Sequence, residues 1–246
     1  MGATPPNDLY GAAGGQYARH ATSGHERLNG WAPQTNACNA DLIASWGPFA
    51  RRTEQLRALR TQLLMRWSHL GAARRALAIV SPNSGEGRSY VAANLAVLFA
   101  QLGQRTLLID ADLRAPRQSE LFNVQNRMGL AAVLAGRLGR EAAVALPAFG
   151  PLFLVPAGAV PPNLQELLLR PTLSAFLGFM EGLYDVVLLD TPPAGANPDA
   201  QGVAFSAGNA LLLAHAGHTR VDETAALASD LDVAGVRVLG TVLNVF

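Results

Sequence analysis

The chain contains no lysine; all nineteen basic residues among its 246 are arginine. Every cationic contact must therefore be made by a guanidinium, which is planar, always charged and able to grip an oxyanion with two donors. A single cysteine, Cys38, excludes an internal disulfide framework and fits a reducing compartment. The five histidines are scattered, so they suggest neither a metal cluster nor a His-paired nucleophile. No apolar run reaches the ~20 residues a membrane span needs. The most apolar stretch, AVALPAFGPLFLVPAGAV, is broken by prolines and glycines. The N-terminus lacks a basic-then-apolar leader pattern. A net charge of +1 gives no global signal for nucleic acid or an acidic partner. These absences describe a soluble, cytoplasmic chain without a transmembrane segment of its own.

Half of the residues are hydrophobic, enough for one sizeable core. Residues 1–44 are rich in Gly, Pro, Ala, Asn and Thr without apolar periodicity and read as a mobile tail before a domain at 45–246. Residues 50–69 then show Leu56, Leu59, Leu63 and Leu64 at helical spacing, interleaved with Arg57, Arg60 and Arg66, with Thr53 a possible N-cap. Beyond it, short apolar runs alternate with helical segments. The runs are 76–81, 105–110, 152–158, 185–190, 210–216 and 236–244; the helices are expected at 91–103, 129–136, 163–183 and 221–234. Continuous apolar strands alternating with helices predict an α/β fold, a mostly parallel sheet covered on both faces. Ligands bind such sheets at the strands' carboxyl ends.

Three polar stretches fall at those ends. SPNSGEGRSY (81–90) follows one strand and opens a helix, the setting of a phosphate-binding loop. Ser84, Gly85, Glu86 and Gly87 would present backbone N–H groups to an anion, helped by the positive end of the following helix. Gly85 and Gly87 would permit positive φ. Pro82 replaces the usual first Gly and Arg88 the usual Lys; Ser89 is at the hydroxyl position that ligates Mg²⁺. LLIDADLR supplies Asp110 and Asp112, and DVVLLDTPP supplies Asp190. Each Asp alone reads as a turn former. Together with the loop, three carboxylates and a hydroxyl make an oxygen-rich Mg²⁺ site.

This set of motifs resembles the cytoplasmic kinase domain of the bacterial tyrosine kinases of polysaccharide export, which share a P-loop clan with the ParA/MinD ATPases. The resemblance covers residues 50–244. It adds EQLRALR (54–60), which looks like the family's E-x-x-R-x-x-R helix, and PAGAVPPNLQELL (156–168), which looks like its characteristic loop. The resemblance implies ATP and Mg²⁺ as ligands. Arg88 would bind the β/γ-phosphates, Ser84–Tyr90 would wrap the nucleotide, and Asn244 would contact adenine. Ser89, Asp112 and Asp190 would hold the metal, with Asp110 and Asp112 as base and orienter for a tyrosine hydroxyl. Glu54, Arg57 and Arg60 would join subunits into a homo-oligomeric ring. A membrane-spanning chain-length-determinant protein would act as activator and hold the chain at the inner membrane.

Three departures qualify this. Arg88 is bulkier than lysine. The tyrosines are Tyr10, Tyr17, Tyr90 and Tyr184, without the cluster that family members autophosphorylate; this sequence ends LNVF. Asn83 stands where ParA/MinD proteins carry an extra lysine, and no basic amphipathic C-terminal helix follows. Kinase, ATP-binding regulatory subunit and ParA/MinD-like switch are the resulting readings. The arginine-rich segment containing Arg51, Arg52, Arg74 and Arg75 fits a solvated face, an anionic patch or, preferentially, an oligomer contact.

Overall fold

Strands β1 (Ala76–Val80), β2 (Thr106–Asp110) and β5 (Val186–Asp190) are buried at every residue. Such segments have no solvent face, so their sequences run apolar without alternation. The computed structural model describes residues 39–47, 50–68, 75–159, 164–168, 170–196 and 198–245. With β3 (Val144–Ala145), β4 (Leu152–Val155), β6 (Asn209–His215) and β7 (Arg237–Asn244), the strands form one sheet of order β3-β4-β2-β5-β1-β6-β7. Every pairing is parallel except the short antiparallel edge of β3 on β4.

The period-2 pleat divides the core between the two faces. Leu77 and Ile79 of β1 join a cluster with α3 (Arg88–Gln101), α1 (Ile43–Trp46) and α2 (Arg51–Ser68). Ala76, Ala78 and Val80 point oppositely, into a cluster with residues of α5 (Leu130–Leu134), α6 (Leu164–Leu168), α7 (Thr172–Glu181), α8 (Asp199–Ala207) and α9 (Val221–Val233). At ~1.5–3 kcal/mol for each buried Leu, Ile or Phe, these two layers dominate the stability of the fold.

The chain leaves β1 in one direction to reach β2, while β6 and β7 lie on the other side. The crevice at the carboxyl end of β1 is therefore the sheet's switch point. Pairing Ile79 with Asp190 and Asp110 with Asp190 brings three strand ends onto one rim. The phosphate loop follows β1 there, and α4 (Gln118–Leu121) follows β2.

Some expectations shift. Leu42, Ile43 and Ala44 are buried in the α3 face, so the packed body begins before residue 45. Asn94 on α3 pins this segment: its Oδ1 accepts from Ala44 N at 3.0 Å, and its Nδ2 donates to Asp41 O at 2.8 Å. Thr53 lies inside α2 rather than capping it, its hydroxyl bonding Gly47 O at 2.6 Å. The helix expected over 163–183 is two, with Pro171 at the start of the second. The tail through residue 38, with Tyr10, Tyr17 and Cys38, lies outside the described residues, as do Arg74 and positions 160–163 of the expected loop. Among the described residues, no helix is long and apolar enough to cross a membrane.

Candidate functional site

The phosphate loop turns on two glycines, Gly85 at φ +78° and Gly87 at φ +93°, a left-handed backbone that side chains disfavour. Gly87 is also the N-cap residue of α3, so the loop's N–H groups and the positive helix end share one location. Ser84 and Gly85 are exposed at the tip. The loop is braced from behind. Glu86 is fully buried; its carboxylate accepts from Asn83 N at 2.8 Å and from the Thr219 hydroxyl. Asn83 Nδ2 reaches Glu223 at 2.8 Å. Gly195 closes the other side, its N–H donating to Pro82 O at 2.8 Å. Glu86 can thus offer an anion only its backbone; its side chain is a strut.

Arg88 is 7% exposed and its guanidinium is engaged under the loop. Nε donates to Thr191 O at 2.8 Å, and Nη1 to Asn83 O at 2.6 Å and to the Ser81 hydroxyl. Burial lowers its pKa, while Asp190, Asp112 and Glu86 oppose that shift, so the group remains a cation. Arg88 also lines a cavity of about 320 Å³ together with Ser84, Gly85, Ser89, Asp112 and Arg117. The guanidinium is therefore beside the phosphate position but anchored by backbone carbonyls.

Asp110 and Asp190 are both fully buried and directly paired across β2 and β5. Burial first, and the neighbouring Asp190 charge second, push the Asp110 carboxyl above the ordinary range. Burial likewise raises Asp190, opposed by Ser89, Gln118 and Arg88. One oxygen of each is satisfied: Asp110 Oδ2 accepts from Gln118 N at 2.9 Å, Asp190 Oδ2 from Gln118 Nε2 at 2.7 Å. The other oxygen of each, Oδ1, is buried without a hydrogen-bond partner among the described residues. Unpaired buried oxygens are costly, and a shared proton or a hard cation relieves them.

Asp112 combines both readings of its position. Its Oδ1 forms an Asx turn, accepting from Arg114 N at 3.2 Å and Ala115 N at 3.0 Å, while the residue lines the phosphate cavity. Among the described residues no three His, Cys, Asp or Glu side chains converge as a cation cage. The set fits Mg²⁺ nonetheless, because this ion takes one or two carboxylates and completes its shell with hydroxyl, water and phosphate oxygens.

A second cavity of about 570 Å³ adjoins the first; Asp41 and Tyr90 line both. Asn244 lines it too, but its Nδ2 is engaged with Glu86 O at 3.1 Å, tying β7 to the phosphate loop. Tyr90 is half-buried and its hydroxyl lacks a hydrogen bond among the described residues. Tyr184 is 6% exposed, packed edge-on against Phe153.

On α2 the three motif residues do not form one exposed strip. Glu54 pairs with Arg57, whereas Arg60 turns inward, donating to Leu98 O at 3.1 Å. Burial, then Arg57, lowers the Arg60 pKa. Sequence reasoning also missed Gln118, Thr191 and the ion pair of Arg114 with buried Asp199 at 2.7 Å. Gln118 lies six residues beyond Asp112 in a polar RQSE run, so the sequence carries no local signal for it.

Comparison with known proteins agrees with this geometry. Residues 77–246 match the CobQ/CobB/MinD/ParA nucleotide binding domain. "Tyrosine-protein kinase YwqD" of Bacillus subtilis is 34% identical over 204 residues, 83% of this chain and 85% of that one. "Tyrosine-protein kinase etk" of Escherichia coli is 34% identical over 206 residues, and this chain spans only 28% of its length. The solved kinase domain of E. coli ETK superposes with a TM-score of 0.77 at 34% identity, covering 82% of this chain and 79% of that one. MinD of Pyrococcus horikoshii, solved with Mg-ADP, gives 0.61 at 29% identity, covering 69% and 70%. Phosphate loop, paired carboxylates and sheet order thus converge with sequence similarity: the chain belongs to the bacterial tyrosine-kinase family within the CobQ/CobB/MinD/ParA nucleotide-binding class.

Proposed function

We propose that this protein is a Mg·ATP-dependent protein-tyrosine kinase of exopolysaccharide synthesis or export. The observation that carries the reading is the buried Asp110–Asp190 pair, each with one unpartnered oxygen, on the rim beside the phosphate loop. The reaction forms a bond from a tyrosine oxygen to the γ-phosphorus and breaks the bond to the β,γ-bridging oxygen, releasing ADP. Such transfer depends mainly on positioning and charge neutralisation. The loop N–H groups and Arg88 orient the β- and γ-phosphates. Asp190 and Ser89, with Asp112, would hold Mg²⁺, which neutralises phosphate charge when bound. Asp110 receives the proton of the tyrosine hydroxyl, since transfer from a neutral hydroxyl needs a carboxylate to take its proton as the bond forms. Asn244 and Tyr90, at the second cavity, border the base and ribose end.

The partners follow the same reading: a membrane-spanning chain-length-determinant protein as activator, keeping the kinase in the cytoplasm against the inner membrane. A homo-oligomer would be joined through α2. Arg57 remains its best candidate contact, and oligomer mass lowered by Arg57→Ala supports that role; unchanged mass removes it.

The decisive experiment follows labelled ATP with the purified chain and the cytoplasmic tail of its membrane partner. Phosphotyrosine that disappears in Asp110→Ala supports the kinase. ATP binding without phosphotyrosine overturns it in favour of a regulatory subunit. ATP hydrolysis alone points to a ParA/MinD-like switch.

A further inference from the structure

Gln118 touches all three elements on which the proposed chemistry depends. Its backbone N donates to Asp110 Oδ2 at 2.9 Å, and its Nε2 donates to Asp190 Oδ2 at 2.7 Å and to Ser89 O at 3.1 Å. It is fully buried at the first position of α4, so neither water nor a rotamer change readily replaces these bonds. The amide orientation follows from the partners. Both contacts of Nε2 are acceptors, and a flipped amide would place oxygen against oxygen.

The consequence is directional. By occupying Oδ2 of each carboxylate, Gln118 leaves Asp110 Oδ1 and Asp190 Oδ1 without partners among the described residues, together with its own buried Oε1. Three unpartnered buried oxygens in one cluster do not suit a purely structural amide. They suit a site whose missing partner is a hard cation and its waters. Resting on the nucleotide reading above, we infer that Gln118 is the positioning residue that fixes Asp190 for Mg²⁺ rather than a larger cation, while holding Asp110 beside it. It clamps Asp190 through its side chain and Asp110 through its backbone. Mg²⁺ requires short, near-octahedral oxygen geometry, whereas Ca²⁺ accepts looser and more numerous ligands. Releasing Asp190 therefore penalises Mg²⁺ more than Ca²⁺. The Asp110 bond, being made by the backbone, survives substitution at this position.

The test is fluorescent-ADP titration of the full chain without metal, with Mg²⁺ and with Ca²⁺, comparing wild type with Gln118→Met. The expected result is a Mg²⁺-dependent gain in ADP affinity reduced ~10-fold or more, with Ca²⁺-dependent and metal-free affinities within ~2-fold. Equal weakening with and without metal would mark Gln118 as structural only and overturn the inference; so would no change in any condition. If the Met variant melts below the assay temperature, Gln118→Leu, close in volume and likewise without the donors, is read in the same titration. A wild-type Mg²⁺ preference in that variant overturns the positioning role. A wild-type protein whose ADP affinity ignores Mg²⁺ overturns the nucleotide reading itself, a result distinct from either variant outcome.

Discussion

Asparagine at position 110 should make the metal-free protein more stable while removing its chemistry. Asp110 is fully buried beside Asp190, and burial and that neighbour raise its pKa. The unfolded chain carries the ordinary carboxylate value of ~3.9. A folded pKa above the unfolded one means stability is fully present below ~4 and is lost as pH rises through the folded value. Asp110→Asn removes one of two confronted charges and keeps an oxygen to accept from Gln118 N. Relieving an unsatisfied buried oxygen is worth ~1–3 kcal/mol. Taking ~2 kcal/mol, and ~2–4 °C per kcal/mol for a chain of this size, Tm should rise by ~4–8 °C at pH 8. The assay is thermal unfolding in EDTA from pH 5 to 8.5. Wild-type Tm should fall across that window, the variant should show a shallower slope, and the gap should widen with pH. A variant that melts at or below wild type at pH 8 would refute the charge-strain argument. Magnesium with ADP should raise the Tm of wild type and variant alike, because the proposed metal ligands Asp190, Ser89 and Asp112 are unchanged.

Asn94→Ala should cost ~2–4 kcal/mol in urea unfolding, since it removes the bonds to Ala44 N, Asp41 O and Tyr90 O and leaves those groups to find water. Arg88→Lys should retain ADP binding within ~10-fold but melt earlier, because an ammonium cannot span Thr191 O, Ser81 and Asn83 O together; calorimetric titration and thermal melts check both parts. Gly195→Ala would put a Cβ 2.9 Å from Pro82 O. The loop must shift to relieve that contact, and a displacement of ~1 Å can cost ~100-fold in rate, so phosphotransfer should fall far more than Tm.

The sheet, the phosphate loop and the acidic strand ends were readable because each is encoded locally: apolar runs mark buried strands, paired glycines mark the left-handed turns, Asp110 and Asp190 end their strands, and Asp112 follows two residues on. What escaped depends on contacts between distant segments. Gln118 lies 72 positions from Asp190, and Glu86 lies 133 from Thr219. Helical spacing put Glu54, Arg57 and Arg60 along one face, but could not reveal that Leu98 O draws Arg60 inward. Residues 39–44 read as tail because they end a Gly-, Pro- and Asn-rich stretch without apolar periodicity, yet one buried Asn94 supplies the partners they lack locally. The edge strand Val144–Ala145 has two residues, too few to leave any periodic signal.

The anchoring of Arg88 also sets which reagents can report on this protein. Acyl-phosphate nucleotides label kinases by acylating a lysine amine at the phosphate loop. A guanidinium that is permanently charged, 7% exposed and tied to two backbone carbonyls is no nucleophile. With no lysine anywhere in the chain, such a probe has no side-chain amine to modify. A proteomic survey read by lysine acylation would pass over this protein even when its nucleotide site is full.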